Sequence, residues 1–324
     1  MIFKNSFHLL VDNFSLVYKY LLYKIVVWAI AIALAAAFIF PNVNFLLGSE
    51  QFNAVIDLLQ DFFKALVSGN TEFLSGFPDH LKSLISDLGA FLASNTTRLV
   101  LLAVAVVGVI LVVRFLSGLG NFVFGALLDD KLSSYAKTSF SGAFIKNLGK
   151  ASLWQIIYVP VTFIYDVVVL VVCYLLFLTL LSVINYILIA AYIAMMLSIA
   201  LFLVTQSIKL TVFSNMVPAM VSDKLKLSAA FKKSFSLLKG NFGPLFSNYL
   251  VTAFLILFTY GCSVALTFGA GLFFAIPMSF VMLICIQFVS FYTFDKRKYF
   301  ISQDKIIFPK ESKEDEDFYD NFEF

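Results

Sequence analysis

The apolar positions of this chain fall into long unbroken runs rather than short periodic patches. A bilayer core takes about 20 apolar residues per helix. The first run, 21–40, has that length and stops at Pro41-Asn42. A second begins after Arg98, runs through 100–113, and is expected to continue as helix past Arg114 toward Asp129. Residues 153–205 are too many for one span and are broken only by Asp166 and by 182–186, which predicts two spans joined by a tight turn near Asn185. Residues 249–293 divide in the same way at Gly269-Ala270-Gly271. Six spans result. Between the first two, 50–67 and 71–94 show helical periodicity instead. Val55, Leu58, Leu59, Phe62, Phe63 and Leu66 recur along one face, opposite Asp57 and Asp61. Glu72, Asp79, Lys82 and Asp87 mark the polar positions of the second segment, and Phe77-Pro78 predicts a bend. Two such amphipathic helices could cap the external face, lie on the outer leaflet, or dock a partner.

Composition agrees with the pattern. Of 324 residues, 61% are hydrophobic and 13% charged, where a soluble domain runs about 45–50% and about 25%. That balance excludes an ordinary water-soluble enzyme, a nucleic-acid reader and a secreted disulfide scaffold. The three cysteines, Cys173, Cys262 and Cys285, sit inside apolar runs and read as small buried hydrophobes. The two histidines, His8 and His80, are predicted on opposite sides of the membrane. With no phosphate-binding glycine motif and no clustered ligands, the expectation is no catalytic residue, no cofactor and no metal.

Charge sets the orientation. Lys4, Lys19 and Lys24 precede the first span; Lys131, Lys137, Lys146 and Lys150 lie between spans two and three; Lys209, Lys224, Lys226, Lys232, Lys233 and Lys239 lie between four and five; Lys296-Arg297-Lys298 opens the tail. The 42–97 loop is net acidic. All basic segments fall on one side, which predicts cytoplasmic N- and C-termini. The first run is full span length after a long basic lead, so it is expected to remain in the mature protein.

Three basic segments resemble one another. Residues 3–14 read FKNSFHLLVDNF and 231–242 read FKKSFSLLKGNF; a weaker copy is Lys137-Thr138-Ser139-Phe140-Ser141 followed by Asn147-Leu148. Asp130-Lys131-Leu132 and Asp223-Lys224-Leu225 precede two of them. The chain is therefore read as all-α and polytopic, with three pseudo-repeated units of interfacial helix plus transmembrane hairpin. In 231–242 the stripe Phe231, Phe235, Leu238, Phe242 is expected to face the apolar side, with Lys232, Lys233 and Lys239 off it. Each Asn-Phe or Asn-Leu pair is expected to break the helix before the span. Lys4, Lys137, Lys232, Lys233, Lys239, Lys296, Arg297 and Lys298 become candidates for contact with lipid headgroups.

Residues 217–221 (VPAMV), 229–235 (AAFKKSF) and 237–242 (LLKGNF) resemble a recurring segment of a bacterial family: the membrane domain attached to some glycerophosphodiester phosphodiesterases, with its stand-alone six-span relatives. The resemblance covers roughly 217–250, implies residence in the bacterial cytoplasmic membrane and brings no catalytic residues. The phosphodiesterase domain itself would need a further barrel, which this sequence does not contain.

One carboxylate, Asp166, falls within a predicted span, where an unpaired Asp costs about 2.5–3.5 kcal/mol. Arg114, Gln206, Thr252 and Gln287 are expected in the same cytoplasmic half, with Asp166–Arg114 as an ion pair, so these five form the candidate polar intramembrane site. The segmentation expected is a membrane domain over 1–293, with an extracytoplasmic amphipathic loop over 41–97, and a basic-then-acidic cytoplasmic tail over 294–324. The last fourteen residues interleave acids with Phe318, Tyr319, Phe322 and Phe324, which suits a solvated tail or a peptide docking a basic partner. The leading reading is a non-catalytic accessory or scaffold component of the membrane, engaging lipids and a candidate membrane-protein partner. The alternative is a small permease or exporter built on the Asp166 site, and an intramembrane lipid enzyme ranks third.

Overall fold

The computed structural model describes residues 2–184, 186–302 and 305–309. Eleven helices and one hairpin are present among them: α1 Ile2–Asp12, α2 Ser15–Phe38, α3 Phe40–Leu47, α4 Glu50–Ser68, α5 Thr71–Ser94, α6 Thr96–Ser134, α7 Phe140–Val183, α8 Ile187–Phe213, α9 Met216–Val221, α10 Leu227–Thr267, α11 Leu272–Phe294, β1 Tyr299–Ser302 and β2 Lys305–Ile307. Six helices are long and apolar enough to cross a membrane. The protein is an all-α polytopic membrane protein. The chain divides into two compact units, Val26–Val113 and Met1–Ile25 with Arg114–Phe324.

The first of these units is wider than the expected 41–97 loop, because it takes in parts of both flanking spans. Its helices start where local chemistry dictates. Ser49 Oγ accepts the Phe52 amide at 3.3 Å and Asn70 Oδ1 that of Phe73 at 3.1 Å, each satisfying one orphan N–H of a first turn. Gly69 ends α4 at φ 71°, the left-handed position that glycine takes without steric cost. Phe62 and Phe77 pack with ring centroids 4.3 Å apart, and the Arg98 guanidinium lies 3.7 Å over the Phe45 ring. Helix α5 continues through Pro78 as one element. Ile56, Leu59, Phe63, Leu66 and Val67 of α4 stay exposed.

In the larger unit α11 is the central helix. In its most apolar window 56% of residues are buried, against 17% or less in the other five spans, whose apolar side chains face outward as lipid-bathed helices do. Close approach to α11 and its neighbours is made through glycines of α6. A Cβ on Gly120 would meet the Tyr23 ring at 2.3 Å, and one on Gly125 the Phe288 ring at 2.7 Å. The largest buried cluster joins α1, the starts of α2, α7 and α10, the ends of α6 and α11, α9 and β1. This end, where the N-terminal helix meets the C-terminal hairpin, is called the terminal face below.

Turns fall where expected. Helices α7 and α8 are separated by Ile184 to Tyr186, and Asn185 itself lies outside the described residues. Helices α10 and α11 are separated by residues 268–271, with Phe268 and Gly269 at φ 50° and 91°. The expected helix breaks are present in only two of three copies. The chain leaves helical geometry between Asp12 and Ser15, and Asn241 interrupts α10 at φ −127°. There Pro244 lacks an N–H and crowds the carbonyl four residues earlier. At Asn147-Leu148, with no proline following, α7 runs on unbroken. The predicted stripe of 231–242 also divides. Leu238 is buried, but Phe235 and Phe242 are exposed, and the inward stripe is Ala230, Ser234, Leu238, Leu245, Tyr249 and Thr252. The first copy has the same disposition: Phe7 and Phe14 are 50% and 42% exposed beside 49% and 41% for Phe235 and Phe242, while Leu10 and Leu238, Ser6 and Ser234 are buried. The weaker copy differs, since Phe140 packs inward with its ring 5.1 Å from that of Phe124.

The segment after the last span holds a feature that the sequence reading missed. Strands β1 and β2 pair antiparallel, Tyr299 opposite Ile307. Tyr299 is fully buried, and its hydroxyl accepts a 2.9 Å bond from Asn5 Nδ2 of α1. The acidic-aromatic segment 311–324 lies outside the described residues.

Candidate functional site

Asp166 projects from the middle of α7 and is fully engaged. Arg114 Nη1 of α6 lies 2.7 Å from its Oδ2. Lys209 Nζ of α8 lies 2.6 Å from Oδ1, and Gln206 Nε2 donates to the same oxygen at 3.0 Å. Gln206 and Lys209 stand three residues apart on α8 and therefore share a face. The expected Asp166–Arg114 pair is thus present, with Lys209 as a second cation the sequence reading did not place there. The tyrosine beside it, Tyr165, donates its hydroxyl to the Thr205 carbonyl at 2.7 Å, which ties α7 to α8 one residue from Gln206.

Gln287 and Thr252 stand apart from this network. Thr252 is buried on α10 and donates to its own helix at Asn248 O, 2.7 Å. Gln287, half-buried on α11, is not among the hydrogen-bond partners of Asp166. Three of the five candidates are therefore brought together.

The lysines expected at the membrane surface also divide. Lys4, Lys137, Lys232, Lys239, Lys296 and Lys298 are exposed. Lys233 and Arg297 are not free. Lys233 Nζ lies 2.6 Å from Asp223 Oδ2 and 2.8 Å from Asp295 Oδ2. Arg297 pairs with Asp223 through Nη2 and with Asp295 at 2.6 Å. Two acids and two bases thus close a ring that ties the α9–α10 connection, α10 and the end of α11 together. Burial alone would lower the Arg297 guanidinium, but Asp223 and Asp295 outweigh it and hold its pKa above the ordinary arginine value.

Beside this ring a cavity of about 590 Å³ opens on the terminal face. One wall is Asp129 of α6, nearly buried, whose Oδ1 accepts hydrogen bonds from Ser222 Oγ and from Tyr292 OH, the latter at 2.8 Å. The lining also includes Lys146 and Lys150 of α7, Lys224, and Lys298. Asp166 and Arg114 line neither this cavity nor the two smaller ones, of about 550 and 250 Å³.

No family model, no curated protein and no solved structure matches the chain.

What the geometry can do follows from the two sites. The Asp166 network sets one carboxylate between two cations and ties α6, α7 and α8 together. The terminal-face cavity is open and its lining holds more basic than acidic side chains. The sequence signal for it was weak but real: Lys146 and Lys150 stand four apart on α7, and one of the two Asp-Lys-Leu copies places Lys224 just after α9.

Proposed function

We propose that this chain is a non-catalytic accessory or scaffold component of the bacterial cytoplasmic membrane, with the terminal face on the cytoplasmic side. The observation that carries the reading is the state of Asp166. A transport site needs a polar group that can exchange partners with a cargo. Here the one carboxylate in mid-span is held by Arg114, Lys209 and Gln206 and borders none of the three cavities. The orientation rests on the basic bias of the segments gathered at the terminal face. The resemblance of 217–250 to the six-span bacterial family belongs to the same proposal. Membrane lipids are the expected contacts, with a second membrane protein as partner.

Affinity purification of the full chain in mild detergent, with co-purifying proteins and lipids identified, tests the reading. A partner protein at fixed stoichiometry is the expected result. A chain that purifies alone with one discrete small molecule, and whose Asp166→Asn variant folds yet no longer retains it, would replace this reading with the permease.

A further inference from the structure

We infer that the terminal-face cavity binds a phosphate-bearing anion. The charges on its walls are not balanced among themselves. Asp129 is occupied by the Ser222 and Tyr292 hydroxyls, and Asp130 accepts from Thr138 Oγ1. Arg297 is committed to Asp223 and Asp295. Four amines remain on the walls, Lys146, Lys150, Lys224 and Lys298. Among the described residues no carboxylate lies within ion-pairing distance of any of them.

Set against the two carboxylates Asp129 and Asp130 on the same walls, the four lysines leave a net excess of two positive charges, which raises the local concentration of anions. Their placement is also partly fixed. Lys150 is half-buried, and its Nζ donates to the carbonyls of Met220 at 3.4 Å and Lys224 at 3.3 Å. Those long bonds hold the amine against the wall and leave it donor capacity for a ligand. Asn147 and Ser133 add neutral donors on the same walls. A cavity of about 590 Å³ has room for a substituted phosphate rather than a bare carboxylate. Lysine serves phosphate as a point charge, and phosphate oxygens are numerous enough to engage several amines at once.

A second observation points the same way. The other Asp-Lys-Leu copy delivers Lys131 to a separate cavity of about 250 Å³, lined also by Lys19 and Lys137. The two sequence copies thus each set a lysine into a lysine-lined hollow. The proposal stands apart from the accessory role, since it concerns what the cavity holds and not what the protein assembles with.

The test uses the full chain, purified in detergent and stripped of bound lipid, with inorganic phosphate as the probe in equilibrium dialysis. Phosphatidic acid in mixed micelles serves as competitor, with phosphatidylcholine micelles as the neutral control. Saturable phosphate binding is expected. Lys146→Gln, at an exposed position, should weaken it several-fold, and Lys150→Met with Lys224→Met by about tenfold or more. Lys82→Gln with Lys305→Gln, which removes two exposed lysines outside the cavity walls, should leave it unchanged. Displacement by phosphatidic acid identifies a lipid headgroup as the source, and saturable phosphate binding without displacement identifies a soluble phosphate compound; either supports the site. Folded wild-type chain that binds neither probe overturns the proposal. So does an equal loss in the Lys82/Lys305 control, which would reduce the effect to general surface charge.

Discussion

Neutralising Asp166 should destabilise the bundle, and the size of the effect follows from what would be left behind. Asp166→Asn keeps the shape of the side chain and one carbonyl acceptor but abandons two cations. Arg114 is 36% exposed, so much of its charge can be rehydrated, and its share is discounted. Lys209 is only 13% exposed and has no other carboxylate in reach among the described residues. Removing one partner of a buried pair costs about 3–5 kcal/mol, and with Arg114 discounted the lower end applies, about 3 kcal/mol. In a chain of this length that corresponds to a fall in Tm of about 5 °C. Cys285 supplies the assay, being fully buried, whereas Cys173 and Cys262 are half-buried. With those two replaced by serine, the rate at which a thiol-reactive dye labels Cys285 on heating reports opening of the bundle. Adding Lys209→Met to Asp166→Asn should recover part of the loss, because the stranded ammonium is gone. A melting curve for Asp166→Asn that coincides with the parent would refute the argument that this network holds the helices together.

Other outcomes can be measured in the same way. Gly125→Ala should cost about 1–3 kcal/mol, because the new methyl would lie 2.7 Å from the immobile Phe288 ring; Gly149→Ala, with nothing within 4 Å, should be neutral or stabilise by up to about 1 kcal/mol. Tyr292→Phe removes one of two hydroxyls from Asp129 and should cost about 1 kcal/mol, with no change in the Cys285 labelling rate at low temperature. Tyr299→Ala should empty a buried ring site and release Asn5, so that protease cuts within α1 far sooner than in the parent while the six spans stay protected.

The parts of the fold that the sequence disclosed were those governed by short-range physics. Span length, the Gly269–Gly271 turn, and the limits of α4 and α5 all follow from hydropathy, caps and period within a window of a few turns. Helix continuity at Asn147 was misjudged because the weaker copy was read with the same break as the other two, and the Asn-Leu pair alone does not interrupt α7. The charge ring of Asp223, Lys233, Asp295 and Arg297 was out of reach, since the two pairs that close it, Lys233–Asp295 and Arg297–Asp223, are 62 and 74 residues apart and only packing unites them. Lys233 and Arg297 look from sequence like any lysine or arginine beside a membrane. At Asp166 the pair with Arg114 was legible because both charges are out of place in apolar runs. Lys209 was passed over because it sits near a span end, where a lysine needs no partner. The hairpin left a fainter trace, in the alternation of Tyr299 to Ser302 and the apolar Ile306 and Ile307 that follow.

The enclosure of α11 has a consequence for biogenesis. It is the last of the six spans to leave the ribosome, yet it is the most deeply buried of them. The first five spans must therefore wait in the membrane with the place for Phe288 beside Gly125 still open. Folding along the chain in order of synthesis, the usual route for multi-part proteins, cannot complete this core. The protein closes only when its final helix enters from the side or threads between its elders, and the charge ring just beyond Phe294 then fastens the latecomer in place.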